Sequence, residues 1–263
     1  NSDGVRLLLA AFVQARGASL QGALLGAVLA VFEAQTRAEE GAWEPSACAH
    51  AALFARFGAL GADGQMRVLA SLNTVGLGTL TPAALGAYVA LLQCTAPSAV
   101  LRVCTHLRAA ITAGSVVRTQ LSDAGLLAVL APYLDLPATL AHSAAVALAA
   151  DPEELAASLS LVRVEGGEEE KGDLEQVLNG LVSSVLGLLA DFVRDYLRGL
   201  QELREATETV HALFRLVRCS ARVRTAALEV VRLLALRFCT PEQQIVAQLV
   251  DVLRECKNNL VAC

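Results

Sequence analysis

The sequence predicts an all-α fold, and three observations carry that prediction. Ala and Leu together supply 95 of the 263 residues, and both lose little side-chain entropy in a helix. Aromatic residues, which sheets favour, make up only 4%. No segment alternates apolar and polar residues with the turn chemistry a strand needs. At 55% hydrophobic and 18% charged, the chain is too apolar to be disordered. Its length suits one large domain or two modest ones.

Taken in order, the first helices fall near 3–16 and 19–37. Within the second, Gly22-Ala23-Leu24-Leu25-Gly26 is a small-x-x-x-small pattern. In lipid it would serve dimerisation; here close packing between helices is the preferred reading. Gly4, Gly86, Gly180 and Gly187, inside other helical stretches, are read the same way. Trp43, the only tryptophan, lies in a turn with Glu39, Glu40, Gly41 and Pro45. Exposed, it would anchor a partner; buried, it would close an apolar gap between two helices. Helices near 46–59 and 63–74 follow.

Thr81-Pro82 opens the next, near 82–93. The Thr is placed to cap, and Pro at the first helical position loses no useful donor. Further helices are predicted near 98–113, 115–121, 125–134 and 138–149. Asp151-Pro152 repeats the cap and opens 152–162, with Glu154 completing a capping box. The stretch Glu165-Gly166-Gly167-Glu168-Glu169-Glu170-Lys171-Gly172-Asp173 is polar and Gly-containing, and reads as an acidic linker or surface loop. Beyond it, Leu174, Val177, Leu178, Leu181, Val185, Leu188, Leu189 and Phe192 set a helical stripe that continues through Tyr196 and Leu200, predicting one long helix over 174–203. Helices near 205–218 and 221–238 come next. Thr240-Pro241, with Gln243 three residues after the cap, opens the last at 241–258.

Two uncharged runs and a mean hydropathy of +0.51 raise the question of a membrane span. The run between Arg67 and Arg102 is broken by Asn73, Thr74, Gly76, Gly78, Thr79, Thr81 and Pro82. The run from Gly17 to Phe32 is short and holds Ser19 and Gln21. Neither offers about 20 continuous apolar residues, so both read as helices buried on two sides. A net charge of −5 argues against nucleic acid as a partner. The seven Cys (48, 94, 104, 219, 239, 256, 263) are an odd number without metal or disulfide spacing, and read as free, mostly buried thiols of a reducing cytoplasm. No secretory signal opens the chain, which begins Asn1-Ser2-Asp3 and is read as a piece of a larger cytoplasmic protein.

Consecutive helices joined by short turns form either a bundle or a solenoid, and two segments favour the solenoid. In Leu121-Ser122-Asp123-Ala124-Gly125-Leu126-Leu127, a short helix ends and Gly125 lets the chain turn sharply. A helix of Leu-Leu-x-x-Leu type then follows. In Ser220 to Leu234, Val223, Arg224, Ala227, Val231 and Leu234 are spaced as an inner helix with small residues on its stacking face. Both resemble armadillo and HEAT repeats, which implies a right-handed helical solenoid with repeats over 1–164, the acidic segment at 165–173, and further repeats of the same solenoid over 174–263.

The order of features from Leu7 to Leu134 is similar to the N-terminal armadillo-like region of large BEACH-domain scaffold proteins, in their autophagy-linked branch. The pieces are Ala11-Phe12-Val13-Gln14-Ala15, Leu24-Leu25-Gly26-Ala27-Val28, Thr81-Pro82-Ala83-Ala84-Leu85 with Leu91-Leu92, and the Gly125-Leu126-Leu127 element. The resemblance implies a cytoplasmic scaffold of membrane trafficking or autophagy. It brings no catalytic residues with it, and the BEACH, PH-like and WD40 segments are not in this sequence.

Candidate sites are few. His50, His106, His142 and His211 lie far apart, and no His-Glu-x-x-His, Cys-x-x-Cys or Gly-Lys-Ser/Thr loop occurs. Cys104 with His106, and His142 with Ser143, lack the orienting third group a nucleophile needs. No catalytic, metal or cofactor site is therefore predicted. For partner binding, Arg215, Arg218 and Arg222 fall at i, i+3 and i+7 if one helix runs through Ser220, and Trp43 joins them as a candidate anchor. The strip would grip an acidic peptide or a phosphoinositide headgroup. The plainer reading is a solvated face pairing with Glu202, Glu205, Glu208 and Glu229. The expectation for function is a non-catalytic protein-interaction scaffold that takes a peptide or helix in a concave groove. The alternative is a membrane-associated regulator that binds lipid or a small GTPase through its helical region.

Overall fold

A computed structural model describes residues 2–16, 18–37, 49–94, 96–113, 115–135, 139–162 and 172–238. Every regular element among them is a helix. The chain divides into two compact units, residues 1–129 and 130–263.

The first unit holds α1 (Ser2–Gln14), α2 (Ala18–Arg37), α3 (Ala49–Arg56), α4 (Ala62–Val75), α5 (Pro82–Val89), α6 (Pro97–Ala113) and α7 (Ser115–Asp123). The division falls inside α8 (Leu126–Leu134). Helices two apart in the chain pack on each other. One row runs α1, α3, α5, α7; the other runs α2, α4, α6; and α1–α2, α2–α3 and α6–α7 contacts tie the rows together. The core between them is led by Phe12, Phe32, Phe57, Leu72 and Tyr88, all fully buried.

The chain turns from row to row by a device used twice. Phe57-Gly-Ala-Leu60 and Leu77-Gly-Thr-Leu80 each form a 3-10 turn, at Phe57–Ala59 and Leu77–Thr79, followed by an extended residue and a helix start. Positions i and i+3 eclipse in a 3-10 turn, so Phe57 with Leu60, and Leu77 with Leu80, all reach the core. The sequence reading missed this internal repeat because four residues are too short to show a period. The sequence pattern predicts single helices over 46–59 and 82–93. Each instead closes in a 3-10 turn, the second at Ala90–Gln93.

The predicted caps are present where the structure describes them. Thr81 Oγ1 accepts from the Ala84 N–H at 3.2 Å, and Asp151 Oδ1 accepts from the N–H groups of Glu153 and Glu154 at 3.0 and 3.2 Å. Thr240 and the helix expected at 241–258 lie outside the described residues. Gly125 sits at φ +77°, and its N–H closes α7 on the Ser122 carbonyl at 2.9 Å.

The second unit includes α9 (Thr139–Ala150), α10 (Pro152–Val162), α11 (Asp173–Val193), α12 (Leu197–Glu205), α13 (Thr207–Leu216) and α14 (Ala221–Phe238). Its organiser is α11, which packs against α9, α10, α12 and α14. By length and composition α11 could cross a membrane, but 61% of its apolar window is buried inside the protein. That is the pattern of a core helix. The acidic stretch 165–173 falls within this unit's span, and 163–171 lie outside the described residues.

The long helix expected over 174–203 is two helices. α11 stops at Val193, and Asp195 takes a left-handed φ of 57° before α12 starts. The apolar spacing runs unbroken through the corner because Phe192 and Tyr196 fill it together, ring edge to face with centroids 5.5 Å apart. Periodicity alone cannot register such a bend. A left-handed residue with a Cβ is strained, so Asp195→Gly is expected to raise stability by about 0.5–1 kcal/mol, read from the urea midpoint.

The glycines separate into two groups. Gly180 is a close-packing site: a Cβ there would stand 2.6 Å from Val162 Cβ. At Gly4, Gly22 and Gly86 a Cβ would meet nothing within 4 Å, and at Gly26 it would touch only the Arg67 side chain at 3.3 Å. The small-x-x-x-small pattern at Gly22 and Gly26 is thus not a close helix contact.

Candidate functional site

The cationic strip is not one helix face. α13 ends at Leu216, and Arg218 and Cys219 donate to the carbonyls of Arg215 and Leu216 at 3.1 and 3.0 Å in a tight turn before α14. Arg224 holds that turn by donating to the Val217 and Cys219 carbonyls at 3.1 and 3.2 Å, a cation on the carbonyl end of a helix. Arg215 is therefore on α13, Arg218 in the turn and Arg222 on α14, so the three do not share one helical i, i+3, i+7 register.

Each of the two outer arginines has a partner inside the unit. Arg215 Nη2 meets Asp135 Oδ1 at 2.6 Å, with both side chains about three-fifths exposed. Arg222 Nη1 donates to the Val162 carbonyl at 2.8 Å, at the C-terminal end of α10. Arg218 is exposed in the turn. The neighbouring charges pair as well. Glu229 accepts from Arg232 Nε and Nη2, both at 2.8 Å, and from Arg194 at 3.3 Å. The Arg232 hydrogen bond, ahead of the Arg194 charge, holds the Glu229 carboxyl below its usual range. Glu202 pairs with Arg198 at 2.9 Å. Trp43 lies outside the described residues.

These bonds differ in weight. A solvent-exposed ion pair contributes about 0–1 kcal/mol, so Asp135→Asn is expected to leave the urea midpoint almost unchanged. Arg222→Ala removes a charged donor from a half-buried helix-end carbonyl and is expected to cost about 1.5–3 kcal/mol. Equal effects would contradict the assignment of Arg222 as a tie between α10 and α14.

A cavity of about 380 Å³ opens where α12 and α14 converge. Its wall is Leu197, Leu200, Leu233 and Leu236, with Asp195 and Arg237 carrying the charge and Tyr196 completing the lining. Arg204 lies over the Phe238 ring at 4.7 Å, a cation–π contact near the end of α14. The sequence reading missed this cavity because it depends on the bend at Asp195.

The histidines near Cys104 and Ser143 form no nucleophilic pair that the structure describes. Cys104 and His106 are two apart on α6, so they face different ways. His106 Nδ1 instead meets the hydroxyl of the fully buried Tyr88 at 2.7 Å. Phe54 packs on Tyr88 with centroids 5.5 Å apart. Cys104 is sealed from water and burial pushes its thiol up to about 12, leaving no thiolate near neutral pH. His142 lies on α9; its side chain is outside what the structure describes. Cys94, Cys104 and Cys219 are free thiols. Among the described residues, no group of three or more His, Cys, Asp or Glu could hold a metal ion.

Burial also lowers the pKa of His106, with the Leu69 backbone opposing it, and burial alone lowers that of His50, which sits edge-on to Phe32 at 4.8 Å. The unfolded chain, with His near 6.5, binds more protons than the folded one just below that pH. Stability should therefore be intact above about pH 6.5 and fall as pH drops toward the lowered folded values. Urea titrations at about pH 7.5 and pH 5.5 check this, and the acid loss should shrink in His106→Gln.

No family model, no curated protein and no solved structure matches the chain.

Proposed function

We propose that this chain is a non-catalytic interaction scaffold built as an armadillo/HEAT-like, right-handed α-solenoid, and that it acts in the cytoplasm. The observation that carries the reading is the packing of the first unit, in which alternate helices form two rows. A two-row stack of short helices is how solenoids make an extended surface from repeated units. The Phe57–Leu60 and Leu77–Leu80 turns support it, since a repeated turn implies a repeated unit. The ligand is a peptide or a partner helix, recognised without covalent chemistry. The resemblance of Leu7 to Leu134 to BEACH-domain scaffolds gives membrane trafficking or autophagy as the setting.

The rival reading is a regulator that docks on lipid or a small GTPase. Panning the immobilised chain against a displayed peptide library, beside flotation with phosphatidylcholine–phosphatidylserine vesicles, separates the two. The scaffold reading expects peptide ligands of about micromolar Kd and no flotation. Flotation without any selected peptide would overturn it.

A further inference from the structure

The cavity between α12 and α14 opens at the point where the chain leaves α14. Two of its leucines are exposed, Leu197 at 43% on α12 and Leu236 at 70% on α14. Tyr196 lines it as well, and its hydroxyl is buried with no hydrogen-bond partner among the described residues. A buried hydroxyl left in that state is costly. At about 380 Å³ the space suits the side chains of an incoming element rather than a water, whose share of liquid volume is about 30 Å³. Phe238 ends α14 one residue past Arg237 of the cavity wall. Arg204 of α12 stands over its ring at 4.7 Å, which fixes the exit of the chain beside α12.

We propose that residues 241–258 of the same chain fill this cavity as an amphipathic helix laid across α12 and α14. Only Cys239 and Thr240 separate Phe238 from Pro241, so the tether gives this segment a local concentration that no free ligand matches. The second unit extends past Phe238 to take the segment in. Its sequence carries the face that the cavity requires. Ile245, Leu249, Val252, Leu253 and Cys256 recur at steps of three and four and make one apolar stripe. Gln244, Asp251 and Glu255 fall on the opposite side. Gln248 borders the stripe beside Val252 and brings a side-chain amide for the Tyr196 hydroxyl. The charges match as well. Glu242, four residues past Phe238 and in the first turn, arrives at the two cations of the exit, Arg204 and Arg237, and an acid there also suits the helix dipole. The cavity is then closed by its own chain, and the peptide of the scaffold reading is taken elsewhere.

Hydrogen exchange of the full chain, read by mass spectrometry at about 1 µM and about 50 µM, tests the docking. The amides of 245–256 should exchange at least about tenfold more slowly than unstructured chain, and equally at both concentrations. Leu236→Glu puts a charge on the cavity wall at an exposed position. It should return those amides to nearly the unstructured rate while α11 keeps its protection. Leu249→Glu, on the stripe of the segment, should do the same from the other side. Thr225→Glu, exposed on α14 about three turns before the cavity, should change nothing. Unprotected amides in the wild-type chain would overturn the proposal and leave the cavity to an outside partner. Protection that neither Leu236→Glu nor Leu249→Glu reduces would place the segment elsewhere. Protection found only at the higher concentration would make the occupant a second copy, and would equally overturn it.

Discussion

Phe192→Ala is expected to cost about 3–5 kcal/mol, one of the two largest losses foreseen for a single substitution in this chain. The ring is fully buried near the end of α11 and meets Tyr196 edge to face across the corner before α12. Removing it takes away the transfer energy of the ring and leaves a cavity where the chain is already strained at Asp195. The loss should appear as a large fall in the urea midpoint followed by far-ultraviolet circular dichroism. A cost below about 1 kcal/mol would mean that the corner can collapse, and that Phe192 does not hold the bend.

Gly180→Val is the second. Gly180 faces Val162, and even an alanine Cβ would lie 2.6 Å from the Val162 Cβ, which cannot swing away as the tip of a long side chain would. Helix propensity favours replacing glycine by about 1 kcal/mol for alanine and less for valine. Overpacking opposes it by about 1–3 kcal/mol, or more when two β-branched side chains collide. Packing therefore wins: Gly180→Val should lose about 2–3 kcal/mol, and Gly180→Ala less. The comparison is Gly86→Ala in α5, where a Cβ meets nothing within 4 Å. There propensity acts alone, and a gain of about 0.5–1 kcal/mol is expected. Gains at both positions would show that α10 does not close on α11 at Gly180.

These two positions also show what the sequence could and could not disclose. The all-α class, the caps at Thr81 and Asp151 and the turn at Gly125 were legible because each rests on chemistry within a few residues. The corner at Asp195 was not. Leu174 to Leu200 keeps one apolar phase through it, and an aromatic pair seals the bend with no Gly or Pro between Val193 and Leu197 to mark it. Gly199, where a Cβ would meet both rings, lies four residues past Asp195. Glycine roles were unreadable for a similar reason: only the helix packed opposite decides whether Gly180 is needed and Gly86 is spare.

The candidate site was legible only as residue types. Arg215, Arg218 and Arg222 were placed on one face by assuming that a helix crosses Ser220, and nothing between Leu216 and Ala221 is a Gly or Pro that would warn otherwise. The partners that define these arginines are remote. Asp135 is 80 residues from Arg215, and the Val162 carbonyl 60 from Arg222. The Tyr88–His106 bond was equally hidden, because two polar groups 18 residues apart share no motif.

Distances along one row test the two-row stack of the first unit most directly. Spin-labelled non-natural residues can be placed at the exposed positions Ala11 on α1, Ala55 on α3, Ala83 at the start of α5 and Thr119 on α7. Pulsed electron–electron resonance then gives the separation of each from Ala11. A solenoid row predicts separations that lengthen at every step, by about one interhelical spacing of 8–10 Å. An Ala11–Thr119 separation no longer than Ala11–Ala55 would mean a closed bundle, and would contradict the solenoid and the scaffold function drawn from it.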